Sequence, residues 1–236
     1  MRLGRAEPRR TVSPTGLSTL NKMSSDRSLV ILGNGGHASS VAEAAESAGF
    51  DVRTSWPISR TDDSFADLIS RVASLDFDKT ALALGVGTNF VREAVHASIS
   101  EAFPTARFPS IVHKTAWLAS SAVIESGVVM LAHASAGAKA HLSAGSLLNT
   151  GASLDHDSTL GEFASLGPGV RTGGNVTSGP RTMIGLQAGI LQGRTVSEDS
   201  VVGAQSLVLE DIPSLSVAIG SPCRVVRSRE WDERYY

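Results

Sequence analysis

The sequence predicts a parallel β-helix preceded by a small Rossmann-like α/β unit, and three observations predict it. Apolar residues recur at every sixth position from Leu118 to Val208, through Ile124, Met130, Ala136, Leu142, Leu148, Leu154, Leu160, Leu166, Ile184, Ile190, Val196 and Val202; only Thr172 and Ser178 interrupt the series. Four places after almost every one sits a small or β-branched residue, such as Ala122, Val128, Ala134, Ala140, Ser146, Ala152 or Ser158, with Arg194 the misfit. Upstream, the apolar run Leu29-Val30-Ile31-Leu32 leads into Gly33-Asn34-Gly35-Gly36-His37 and then a helix-like stretch.

A period of six belongs neither to an amphipathic helix, which repeats near 3.6, nor to a half-buried strand, which repeats at 2. It is the period of hexapeptide repeats, each one short strand and one corner of a parallel β-helix. The sixth-position residue points into a narrow prism, and the small residue fits where the backbone bends. Three hexads close a triangular coil of about 18 residues, which gives roughly five coils and a rod near 25 Å long at the usual strand spacing. Glycine favours the place just after the inward residue (Gly137, Gly161, Gly167, Gly173, Gly179, Gly185, Gly203), where it is expected to supply turn conformations that a Cβ would penalise.

In chain order, residues 1–28 carry six basic and two acidic side chains without apolar periodicity and read as a disordered tail, with Met23 a possible start. The α/β unit spans 29–107. After the strand Leu29–Leu32 come a helix from Ala38 to Ala48 ended by Gly49, a possible strand from Phe50 to Thr54, and a helix with Phe65, Leu68, Ile69 and Val72 on one face. Then follow the strand Ala81–Leu84, a turn with Gly85 and Gly87, and a helix from Asn89 to Ala102. A glycine turn opening a helix leaves free N–H groups suited to phosphate. The G-x-G-x-x-G spacing is only partly met (Gly33, Gly35, then Ala38), and Arg53 to Pro57 supply nothing acidic to hold a ribose. A phosphate-bearing ligand at Gly35, Gly36 and His37 and a purely structural turn both fit. Pro104 to Lys114 links to the β-helix over 108–228, and 229–236 reads as a tail.

The net charge of −2 and the lack of a long basic face give no sign of nucleic acid as a partner. No apolar run reaches membrane-spanning length. The single Cys223 precludes an internal disulfide and fits a reducing, cytoplasmic setting.

The chemistry concentrates at Asp155-His156-Asp157. His156 holds the second place after an inward residue, so its ring faces a groove rather than the core. A neutral imidazole with a pKa near 6.5 can take a proton from an attacking amine or hydroxyl. Asp157 can orient the ring and stabilise its charged form. One coil further lies Gly174, where a thioester could approach the backbone and an N–H could steady developing negative charge. A histidine on such a surface can also be merely solvated. A shared zinc site needs three converging histidines, and His133, His141 and His156 lack the H-x4-H element, so no metal is expected.

Gly33 to His37, Gly87-Thr88-Asn89-Phe90-Val91-Arg92, Phe108 to His113, Leu148-Asn149-Thr150 through Asp157, Gly161-Glu162-Phe163 and the closing Gly220-Ser221-Pro222-Cys223-Arg224 together resemble the PglD/NeuD-type sugar acetyltransferases. The resemblance covers Leu29 to about Arg227. It implies a left-handed β-helix, a homotrimer with intersubunit active sites, acetyl-CoA as donor and a nucleotide-linked amino sugar, of the UDP-4-amino-4,6-dideoxyhexose type, as acceptor. It implies His156 as general base with Asp157 and Gly174. Ser165, Gly174, Leu186 and Ala204 would line the donor site, and Gly35, Gly36, His37 and Gly87 the acceptor site. Two departures stand out: the family's His-Glu pair is His156-Asp157 here, and Ser165 replaces a histidine. The acidic pair that the resemblance places after the second strand has no counterpart around Arg53 to Pro57. A sugar O-acetyltransferase of the sialic-acid type and a non-catalytic trimeric scaffold remain as alternatives.

Overall fold

The computed structural model describes residues 28–58 and 62–235, without the side chains of 62–66. The expected tail therefore lies outside the described residues except for Ser28, as does the side chain of Phe65. The α/β unit consists of β1 (Ser28–Leu32), α1 (Gly36–Ser47), β2 (Asp51–Trp56), α2 (Asp62–Ala73), β3 (Thr80–Leu84) and α3 (Asn89–Ala102). Its three strands are parallel in the order β2-β1-β3. The apolar runs of β1 and β3 are buried, whereas the edge strand β2 is largely exposed and correspondingly polar.

From Ile111 onward, two-residue strands alternate with four-residue corners and stack into three parallel faces. Leu148 pairs in register with Met130 below and Leu166 above, the 18-residue coil the period demands. The first face carries the strands ending at Val112, Met130, Leu148, Leu166, Ile184 and Val202. The second carries those ending at Leu118, Ala136, Leu154, Thr172, Ile190 and Val208, and the third those ending at Ile124, Leu142, Leu160, Ser178 and Val196. The series thus begins one hexad earlier than expected, at Val112 inside the supposed linker. It ends irregularly: Ile212 bridges to Val196 and Ala218 pairs with Val202, each step two residues short of a full coil. An antiparallel hairpin of Ser216–Ile219 with Arg224–Ser228 closes the prism.

The inward residues and the small corner residues form one apolar column. Its two polar members are satisfied within it. Thr172 Oγ1 accepts the Asp155 N–H at 2.9 Å, and Ser178 Oγ lies 2.5 Å from Thr182 Oγ1, which donates to Gly179 O. A buried hydroxyl with such partners avoids the desolvation penalty of an unpaired one.

The reason for the glycines differs from the expected one. Left-handed backbone falls at the third place after the inward residue, where Lys139, Asp157, Phe163, Asn175 and Gln187 adopt it as well as Gly127, Gly145, Gly151 and Gly169. The glycines at the first place have no such φ. There the backbones of successive coils touch: a Cβ on Gly137 would lie 2.6 Å from His156 N, and one on Gly161 would lie 2.6 Å from Gly179 C. Close approach, not turn geometry, selects glycine at that position.

Two devices join the α/β unit to the prism. The outward residues of the first face, Ile111, Val129 and Leu147, are apolar and buried with Val41, Ala44 and Ala45 of α1. Arg92 of α3 is fully buried and has an oxygen for each N–H direction. Its Nε donates to Gly145 O at 3.0 Å and its Nη1 to Val86 O and Gly87 O. Its Nη2 donates to Phe163 O at 2.7 Å, Asn89 Oδ1 and Ser165 Oγ. Burial lowers its pKa to about 10, which still leaves a cation at neutral pH. Arg181 adds a bidentate pair to Asp199 and reaches Glu93 of α3.

The two classes of glycine should respond oppositely to substitution. Gly161→Ala forces a Cβ into the next coil and should cost about 1–3 kcal/mol. Gly151→Asn, at φ +66 with nothing within 4 Å of a Cβ, should stay within about 0.5 kcal/mol, since asparagine tolerates that region. Urea-unfolding midpoints read both.

Candidate active site

The corner Asp155–Ser158 lies between the second and third faces, and its backbone is tied from both sides. Asp157 N donates to Ala138 O in the coil below at 2.9 Å, and His156 O accepts from Asn175 N in the coil above at 2.8 Å. His156 N donates to Asp155 Oδ1 at 2.7 Å. The left-handed φ of Asp157 turns its carboxylate back toward the preceding ring, and His156 Nδ1 lies 2.8 Å from Asp157 Oδ2. An ionised carboxylate only accepts, so this network assigns the proton to Nδ1 and leaves the Nε2 lone pair open.

The imidazole is well exposed and does not behave as an unperturbed group. Its pKa is raised, first by the hydrogen bond to Asp157 and then by the charge of Asp155. Asp157 is lowered, first by the same hydrogen bond and then by Lys139, whose Nζ lies 3.8 Å from its other oxygen. The ring lies against the backbone of the next coil: a Cβ on Gly174 would sit 2.3 Å from His156 Cε1 and 2.4 Å from Nε2. A side chain at 174 would therefore displace the imidazole from this position. Among the described residues no acceptor takes the Gly174 N–H.

An open groove of about 460 Å³ collects Asp155, His156, Gly173, Gly174, Asn175, Gln192 and Gly193. Gln192 and Gly193 were not anticipated. They stand one further coil above Gly174 and Asn175, so carrying the 18-residue step on once more would have found them.

The residues expected at the donor site separate. Leu186 and Ala204 are exposed one above the other on the corner between the first and second faces. Ser165 is buried under α3, donating to Asn89 Oδ1 at 2.7 Å and accepting from Arg92. It belongs to the joint between prism and α/β unit. Cys223 is buried, and burial raises its thiol pKa. His141 Nε2 is engaged with the buried Glu125 at 2.9 Å, and His113 Nδ1 with Thr115.

A second cavity, of about 310 Å³, opens where the two glycine turns meet. Gly33, Asn34, Gly35, Ile58, Gly85, Val86, Thr88 and Val91 line it, together with Arg234 and Tyr235. Of Gly35, Gly36, His37 and Gly87, only Gly35 is part of that lining. Gly33 is needed for packing, since at φ +134 a Cβ would lie 2.4 Å from Gly85 O. At Gly35 and Gly36 a Cβ would meet nothing and the backbone is ordinary, so the fold itself does not require glycine there. His37 is tucked behind the turn beside Gly87. Burial foremost, with the charge of Arg92, lowers its pKa to about 4, and its Nε2 has no partner among the described residues.

No helix among the described residues is long and apolar enough to cross a membrane, and none of their His, Cys, Asp and Glu side chains form a group of three suited to a metal.

No sequence-family profile matches the chain. The curated relatives share a stretch with it that spans about 18–30% of their own length. Among them, the galactoside O-acetyltransferase of Escherichia coli K12 is 44% identical over 62 residues, 26% of this chain and 30% of that protein. Solved structures align far more completely. The acetyltransferase domain of PglB from Neisseria gonorrhoeae, in complex with acetyl coenzyme A, is 26% identical. It aligns with a TM-score of 0.75 over 85% of this chain and 100% of that one. PerB from Caulobacter crescentus, in complex with CoA and GDP-perosamine, is 27% identical, with a TM-score of 0.74 over 85% and 97%. Over 85% of its length the chain is thus similar in fold to acetyltransferases solved with acetyl coenzyme A and with CoA and GDP-perosamine.

Proposed function

We propose that the protein transfers an acetyl group from acetyl-CoA to the amine of a nucleotide-linked amino sugar, with His156 as general base. One observation carries the reading: an imidazole held at Nδ1 by Asp157 presents a free Nε2 across a side-chain-free Gly174, inside an open groove. Acetyl-CoA supplies an acetyl thioester. His156 Nε2 takes the proton of the attacking nitrogen as the C–N bond forms and the C–S bond breaks, and can return it to the departing sulfur. Asp157 stabilises the transient imidazolium, while the Gly174 N–H is available to the carbonyl oxygen as charge builds there.

The groove's charge favours an amine over a hydroxyl. Asp155 lines it and Asp157 is bonded to the lining imidazole, with Lys139 as the nearby cation, an environment that attracts an ammonium-bearing sugar. O-acetylation is the second reading, supported by the stretch shared with the galactoside enzyme. PerB was solved with a GDP-linked sugar; here both UDP- and GDP-linked 4-amino sugars are candidates, with the glycine-turn cavity as the nucleotide site.

The His156 groove and that cavity have no lining residue in common. A homotrimer would bring one copy's cavity to another's groove. Exposed apolar side chains support such contacts: Trp117 and Leu207 on the second face, Leu191 and Leu209 on one flanking corner and Leu186 on the other. The donor would then lie between copies, along Leu186 and Ala204.

His156→Ala should slow release of the CoA thiol about 10²–10⁴-fold with the best sugar of a UDP- and GDP-linked panel. Equal rates for variant and unmodified protein across the panel would return the prism to a scaffold role. The working form is neutral His156, and its pKa is raised, so the rate should still be climbing with pH at 6.5 and reach half its maximum only above that value. Asp157→Asn removes the largest cause of that shift; the acidic limb of the pH–rate profile should move to lower pH while the maximal rate falls.

A further inference from the structure

The segment 229–235, which reads as a tail in the sequence, is folded back onto α3. Arg229 is buried and donates to Asp199 O at 2.6 Å. Trp231 packs edge-on against Phe90 at 6.1 Å. Glu233 receives both Nη atoms of Arg227, and Arg229 Nη2 reaches Glu233 O. The Arg229 guanidinium also lies over the Tyr235 ring, 5.5 Å from its centroid. The Tyr235 hydroxyl accepts the Asn89 N–H at 3.2 Å, filling one of the open donors at the start of α3.

This anchoring puts Arg234 and Tyr235 into the wall of the glycine-turn cavity, opposite Gly33, Asn34 and Gly35. No acidic residue lines that cavity, and Arg234 has no ion pair among the described residues. Its guanidinium is the one cation of the lining, exposed and fixed beside a turn whose Gly35 and Gly36 leave room for a ligand. A planar fork of donors matches paired phosphate oxygens. Within Arg53 to Pro57, where β2 ends, no residue is acidic.

We propose that Arg234 binds the diphosphate of the nucleotide-linked acceptor, and that Tyr235, by capping α3, is the positioning residue that holds Arg234 over the glycine turn. The inference rests on the amino-sugar reading for the identity of the ligand. Recognition would then come from the folded-back segment together with the glycine turn.

Calorimetric titration of the full chain with UDP, GDP and CoA tests it. Arg234→Gln should weaken whichever nucleoside diphosphate binds by tenfold or more and leave CoA affinity unchanged. Tyr235→Phe, which keeps the ring and removes the hydroxyl, should weaken the same ligand less. In steady-state assays the loss in Arg234→Gln should appear in KM for the sugar nucleotide rather than in kcat. Equal or tighter diphosphate binding by Arg234→Gln overturns the assignment, since the segment would then be a bystander or a plug. No diphosphate binding by the unmodified protein overturns it too. Failure of the acetyl-transfer reading is a separate result: diphosphate binds, but no sugar of the panel elicits CoA release.

Discussion

Register between coils is the constraint on which everything else depends. Each strand bonds to the one 18 residues on, so side chains at the same corner place stand in columns with little freedom to shift. The column Ala138, His156, Gly174, Gln192 carries the proposed base, and the neighbouring column Lys139, Asp157, Asn175, Gly193 stands beside it. The left-handed φ common to the second column directs the Asp157 carboxylate back to the ring beside it. The His–Asp pair is therefore a product of the repeat's own corner geometry, and needs no irregularity in the fold.

The same stacking explains why so little room is left. At Gly137 and Gly161 the backbone of the next coil leaves no room for a Cβ, and at Gly174 the imidazole occupies the space one would take. The charge pattern follows from the columns as well. Asp155 and Asp157 flank one imidazole and raise its pKa, while Lys139 below partly offsets them. The result is a base stronger than a free imidazole, with a lone pair pointed away from its partner.

At the joint with the α/β unit, Arg92 works differently. A buried cation without a buried carboxylate is costly unless dipoles surround it, and here backbone carbonyls from one glycine turn and two successive coils do so. Ser165 and Asn89 complete the shell. The turn that borders the glycine-turn cavity is thereby fixed to the prism, and the cavity's shape depends on a residue that does not line it.

Much was legible from the chain alone. Period six required coils of eighteen, and that arithmetic paired His156 with Gly174 before any coordinates; the apolar runs of β1 and β3 and the glycine turns marked the α/β unit. These features are local or strictly periodic, so spacing suffices to read them. Three matters were decided only by tertiary structure. Ser165 faces α3 rather than a donor seam, because the first face of the prism is covered by the α/β unit, and strand periodicity does not say which face is covered. The glycines after each inward residue answer to backbones a whole coil away, a distance that propensity does not sense. The segment 229–235, polar and without period, returns to α3 through contacts with residues more than a hundred positions earlier, and no sequence pattern announces a partner that only the closed fold brings near.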